Sequence, residues 1–188
     1  MTKIGITGSL SSGKSTVAKL MSKGRYPVFN ADRTVANLYK KRDFIKKIKK
    51  KFDIKNSKNI KKEIKNLVKK NKKNIRKLES MIHPLVRKEM RALMSSKKNK
   101  KILIFDIPLL IESKLMKYFD VVVFVGARRN LRLKRHLRKK GNKKIFTILD
   151  KRQIIPSKKI KISDRIIYNN SSLKVLKRNV RLLMRNYE

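Results

Sequence analysis

The stretch "GITGSLSSGKSTVAK", residues 5–19, places three glycines and four serines between an apolar, strand-like start and a helix-like continuation. Within it, Gly8-Ser9-Leu10-Ser11-Ser12-Gly13-Lys14-Ser15 satisfies the phosphate-loop pattern G-x-x-x-x-G-K-[ST]. Glycine allows tight backbone geometry and close approach, so successive N–H groups and the start of the following helix can face phosphate oxygens. The pattern predicts nucleoside-triphosphate contacts at Gly8, Ser11, Ser12, Gly13, Lys14, Ser15 and Thr16. Lys14 would reach the β- and γ-phosphates and the Ser15 hydroxyl would ligate Mg²⁺. Four fixed positions in a strand–loop–helix setting are far more specific than a chance Gly/Ser turn.

Working outward, short β-type runs occur at residues 3–8, 26–31, 101–107, 121–126 and 165–170, with helical patterns between them. Several are continuously apolar, as in "ILIFD" and "VVVFVG", which is the signature of strands covered on both faces. The expectation is a three-layer α/β fold around a parallel, five-stranded sheet. Residues 33–96 interrupt the alternation with a long basic stretch that reads as an inserted helical subdomain. A second basic segment, residues 128–153, reads as a helical arm over a pocket. Near the C-terminal end Leu173, Leu176, Val180 and Leu183 recur at helical spacing and predict a helix packed on the sheet.

A chain of 188 residues with 40% hydrophobic content can bury one core, and a single domain with these two appendages is expected. It has no cysteine, which excludes a disulfide framework and a cysteine-based metal site and fits a cytoplasmic location. The start "MTKIGITG" does not read as a secretion signal, and the apolar runs are too short to span a bilayer, so no membrane association is expected. The balance of 55 Lys and Arg against 12 Asp and Glu gives a net charge of +43. Such a field attracts polyanions without choosing among them. Aromatic residues make up only 6% of the chain, and no RNA-recognition signature is present, so a solvated lysine coat is the simpler reading and no specific nucleic-acid partner is expected.

Two acids stand where strand ends meet the expected crevice. Asp32, just past the second strand, could take a hydroxyl proton or cap the helix beginning near Thr34. Asp106 ends "ILIFD" and reads either as a holder of Mg²⁺ or its water, or as the start of the turn into Pro108.

In order along the chain, "GITGSLSSGKSTVA", "NADRTVANL", "LESMIHPLVRKEM", "IFDIPLLIES", "FDVVVFVGA", Gln153 and "SDRIIYNN" resemble the dephospho-CoA kinase family. That resemblance covers nearly the full length. It implies ATP-dependent phosphorylation of the ribose 3′-hydroxyl of dephospho-CoA, with Mg²⁺; a monomer is expected. It also implies Asp32 as general base, the second acid of a D-A-D motif whose first acid is here Asn30. His83 and Pro84 match the family's His-Pro element beside the acceptor pocket, although Pro84 could instead sit at the first position of a helix that His83 precedes. Arg135 matches the first lid arginine, and the second falls at Arg138 or Lys139. Asn169 and Asn170 match the asparagines near the nucleotide base, or form a turn. Residues 33–96 correspond to the acceptor-binding region, shortened and without a secure counterpart for its usual arginine. The alternatives are another small-molecule nucleoside or nucleotide kinase, or a basic nucleic-acid-binding NTPase.

Overall fold

The computed structural model describes residues 1–55, 59–71 and 73–188. The chain divides into two compact units, Met1–Asn30 with Ser96–Glu188, and Ala31–Ser95.

In the first unit the strands are β1 (Thr2–Gly8), β2 (Val28–Asn30), β3 (Ile102–Asp106), β4 (Val121–Gly126) and β5 (Arg165–Tyr168). They form a parallel sheet in the order β2-β3-β1-β4-β5. The register sets Ile6 beside Asp106 and Gly8 beside Val125, so the chain leaves β1 next to the carboxyl ends of both neighbours. Every residue of β3 and β4 is buried, which explains their unbroken apolarity.

On one face Ile4, Ile6, Ile102, Ile104, Val121, Val123, Val125 and Ile167 meet two helices. Helix α1 (Lys14–Ser22) contributes Val17, Ala18 and Met21. The last helix contributes Leu176, Val180 and Met184, one stripe at four-residue spacing. Leu183 lies partly buried against this core, whereas Leu173, expected on the same stripe, is 54% exposed because it is the first residue of the helix, just after the cap Ser172. On the opposite face Gly5 leaves room for two bulky side chains. A Cβ there would stand 2.6 Å from Leu110 Cδ1 and 2.8 Å from Phe119 Cγ. Gly5→Ala is therefore expected to overpack this face at a cost of about 1–3 kcal/mol. Thermal unfolding should show the melting temperature lowered by about 2–4 °C per kcal/mol, and an unchanged midpoint would refute the tight packing.

The second unit is helical: α2 (Ala31–Leu38), α3 (Arg42–Phe52), α4 (Ile60–Lys70) and α5 (Lys73–Ser96), whose last residue belongs to the first unit. Of the expected helical stretch 33–96, residues 56–58 and 72 lie outside the described residues. Asn59 caps α4 by accepting a hydrogen bond from Lys62 N at 3.2 Å. Tyr39 packs edge-on against Phe44, and burial pushes its hydroxyl above the ordinary phenol value. Two local expectations are corrected here. Helix α2 begins at Ala31, so Asp32 lies inside its first turn rather than capping it. Pro84 is not at a helix start, because α5 runs through it; the helix forgoes one backbone hydrogen bond there.

The remaining helices belong to the first unit: α6 (Arg129–Arg138), α7 (Lys143–Arg152), α8 (Pro156–Lys161) and the C-terminal α9 (Leu173–Met184). Among the described residues no helix is long and apolar enough to cross a membrane.

Candidate active site

The loop between β1 and α1 is shaped by two glycines at which any other residue would be strained. At Gly8, φ is +154° and a Cβ would lie 2.2 Å from Val125 O; at Gly13, φ is +100° and a Cβ would lie 2.3 Å from Asn169 Nδ2. Both positions hold a backbone that side chains rarely adopt; at Gly8 the neighbour is main chain, while at Gly13 it is the end of the Asn169 side chain. Between them Ser12 N donates to Ser9 O at 3.2 Å, closing a turn, and Ser11 adopts φ +58°. The first helical bond runs from Val17 N to Gly13 O at 3.0 Å, so α1 starts directly beneath the loop. Lys14 is 9% exposed and folds back, donating from Nζ to Gly8 O at 3.3 Å and Ser9 O at 2.9 Å. The loop thus surrounds its own cation, and the helix N-terminus adds a partial positive charge.

Beside α1, Ser15 Oγ donates to Asp106 Oδ2 at 2.6 Å. The same oxygen accepts from Asn30 Nδ2 at 2.8 Å, across the paired ends of β2 and β3. Asp106 is 2% exposed. A serine hydroxyl against a buried carboxylate is an oxygen-only donor set, which suits Mg²⁺, since that ion takes one or two protein oxygens and keeps its other positions for water and phosphate. Among the described residues no cluster of three or more His, Cys, Asp or Glu could form an all-protein metal cage. A groove of about 850 Å³ runs from Ser15, Asn30 and Asp106 along α1 past Lys19 and Lys23.

Asn169 follows β5 and is 8% exposed; its Nδ2 donates to Ser12 O at 2.8 Å. Arg135, on α6, donates to Asn169 O at 2.9 Å, to Asn169 Oδ1 at 3.3 Å and to Ser12 O at 3.4 Å. The phosphate loop, Asn169 and Arg135 therefore meet in one place. Asn170 Oδ1 accepts from Arg128 N at 2.7 Å, tying the end of β5 to the start of α6 rather than closing a local turn. Arg138 and Lys139 are both exposed at the end of α6. Asp32, His83 and Pro84 belong to the other unit. There Asp32 is exposed in the first turn of α2, His83 is half-buried in α5, and Pro84 is exposed.

Arg132 was not singled out in the sequence, and Gln153 entered there only as part of the resemblance. Arg132 donates to Leu10 O at 3.3 Å, and Gln153 Oε1 accepts from Leu10 N at 3.0 Å. Arg132 is one of 55 Lys and Arg residues, and only its spacing three positions before Arg135 on one helix hints at a shared face.

A strand running into an amide loop, a lysine-bearing helix and an acid at the next strand's end form the working arrangement of the phosphate-loop kinases, and fold and site place the chain in that class. The chain belongs, more narrowly, to the dephospho-CoA kinase family, whose model matches residues 2–175. A dephospho-CoA kinase of Fusobacterium nucleatum is 34% identical over 182 residues, which cover 94% of this chain and 94% of that protein. Among solved structures, a dephospho-CoA kinase from Campylobacter jejuni superposes with a TM-score of 0.71 at 25% identity, covering 98% of this chain and 96% of that one. The crystal structure of TT1252 from Thermus thermophilus superposes with a TM-score of 0.85, also at 25% identity, over 100% of this chain and 98% of that one.

Proposed function

We propose that the chain transfers the γ-phosphoryl group of ATP to the ribose 3′-hydroxyl of dephospho-CoA, with Asp32 as general base. The 3′-oxygen forms the new P–O bond, the bond from the γ-phosphorus to the β–γ bridging oxygen breaks, ADP leaves, and the hydroxyl proton passes to the Asp32 carboxylate. The observation that carries the reading is the loop of residues 8–15, wrapped around Lys14 with Ser15 on the buried Asp106. Such a loop holds a triphosphate through main-chain amides, and Lys14 offsets charge on the transferring group. Arg135 adds positive charge from α6 at the loop's edge. Asn169, hydrogen-bonded to Ser12 O of that loop, is assigned to the nucleotide.

Mg²⁺ would be held by Ser15 and Asp106 and would supply neutralisation of phosphate charge there. His83, Pro84 and the rest of the helical unit are assigned to the acceptor. The family membership supports this assignment, and so does the exposure of Asp32, which leaves its carboxylate open to a substrate hydroxyl. Residues 128–153 are assigned to the lid; their α6–α7 hairpin carries Arg135. We place the reaction in the cytoplasm, with a monomer as the working unit.

The test is an acceptor panel. Purified protein, ATP and Mg²⁺ are incubated with dephospho-CoA, nucleosides and nucleoside monophosphates, and products are read by mass spectrometry. A single added phosphate on the 3′-position of dephospho-CoA is expected. Preference for a nucleoside or nucleoside monophosphate would overturn the acceptor assignment.

A further inference from the structure

The α6–α7 hairpin holds a peptide of the phosphate loop from outside. Leu10 lies three residues before Gly13, and both its backbone groups are engaged: its N–H donates to Gln153 Oε1 at 3.0 Å and its carbonyl accepts from Arg132 Nη1 at 3.3 Å. These contacts fix the peptides on either side of Leu10, immediately before Ser11, whose φ of +58° is an uncommon conformation for a residue with a side chain. A strained residue persists only where its surroundings over-determine it.

Arg132 itself is held firmly. Its side chain is 5% exposed, and its guanidinium is paired to Asp150 at 2.5 and 3.3 Å. Nε donates to Ala127 O at 3.1 Å, just past β4, and the guanidinium lies 5.6 Å from the centre of the Phe146 ring. Asp150 also meets Arg129 at 3.5 Å. One buried cation therefore spans the sheet end, α7 and the loop. A buried charge is tolerated only when its partners are placed this fully, and a planar fork suits such bridging better than an ammonium.

We infer that Arg132 and Gln153 are positioning residues for the nucleotide: by gripping Leu10 they keep the phosphate loop in its binding shape before ATP arrives. The inference rests on the kinase reading for the identity of the nucleotide and is independent of the acceptor. Preorganisation of this kind improves affinity because the loop need not be ordered at the moment of binding. It also makes the hairpin and the loop one mechanical element, so a displacement of α7 would reach the phosphates through Leu10.

The experiment uses the full chain without any acceptor. ADP affinity is measured by calorimetry for the wild type, Arg132→Gln, Gln153→Ala and Gln153→Glu, alongside thermal unfolding and backbone amide exchange of the nucleotide-free protein. Arg132→Gln and Gln153→Ala are each expected to weaken ADP binding by about tenfold. Gln153→Glu keeps an oxygen that accepts from Leu10 N, so its affinity should return to within about twofold of wild type. The Leu10 amide should be protected from exchange without nucleotide and lose that protection in Gln153→Ala. In turnover assays KM for ATP should rise while KM for dephospho-CoA stays level. If Arg132→Gln fails to fold, the Gln153 pair decides alone. A lowered melting temperature with ADP affinity unchanged in the folded protein would overturn the inference, leaving the network as a mere brace. An unprotected Leu10 amide in the wild type would overturn it too. Failure of the acceptor assignment would leave ADP affinity and amide exchange as they are, so the two readings fail separately.

Discussion

Asp32→Ala is expected to retain ADP binding within about twofold and to lose phosphoryl transfer by about 10²–10⁴-fold, the usual worth of a positioned proton acceptor. Asp32 is exposed, it lies in the first turn of α2, and the phosphate loop does not contain it. Removing the carboxylate therefore leaves the nucleotide cradle intact. The change in stability should be small, since an acid in a helix's first turn contributes about 0.3–1 kcal/mol at an exposed position. A coupled assay of ADP release with saturating dephospho-CoA, set beside calorimetric ADP titration, separates the two quantities. Full activity in the variant would remove Asp32 from the base role. An equal fall in ADP affinity would show that the side chain serves the nucleotide instead.

Asp106→Asn is expected to have the second-largest effect, about 10²–10³-fold on kcat/KM. In the wild type one oxygen, Oδ2, accepts from both Ser15 Oγ at 2.6 Å and Asn30 Nδ2 at 2.8 Å. An amide keeps the shape but offers a single acceptor oxygen and turns an NH₂ group into a buried place that held negative charge. Because one oxygen takes both bonds, the amide oxygen can keep them, and the change in melting temperature should be small beside the loss of the charge. The cation dependence distinguishes metal holding from folding. Mg²⁺ should tighten ADP binding to the wild type and fail to do so in the variant. If the tightening persists at full size, Asp106 orders Ser15 and Asn30 without serving the metal.

How much of this was legible beforehand varied with the physics of each part. The phosphate loop was readable because its backbone demands glycine at positions 8 and 13, so the requirement is written in residue types. Strands β3 and β4 were readable because burial on both faces leaves no place for polar residues. Pro84 misled in the local reading, since a proline near a possible boundary suggests a helix start, while α5 accepts the loss of one hydrogen bond and continues. Leu173 fell in the apolar period yet is exposed, because periodicity does not reveal where a helix outruns the surface it packs on. Asn30 could be seen as a departure from a two-acid motif, but its donation to Asp106 depends on a pairing of strands 76 residues apart. Arg132 was hidden by its background. In a chain with a net charge of +43, one more arginine carries no information until its neighbours are placed.

The parallel pairing of β1 with β3 joins Thr2 to Ile102, and the loop's last tie is Asn169 on Ser12. During synthesis, then, β1 must wait for strands made far later before it can be sheathed. A nascent chain halted before Asn169 would carry the whole glycine-lysine motif and still lack the tie that closes its scaffold, so the finished loop arrives late.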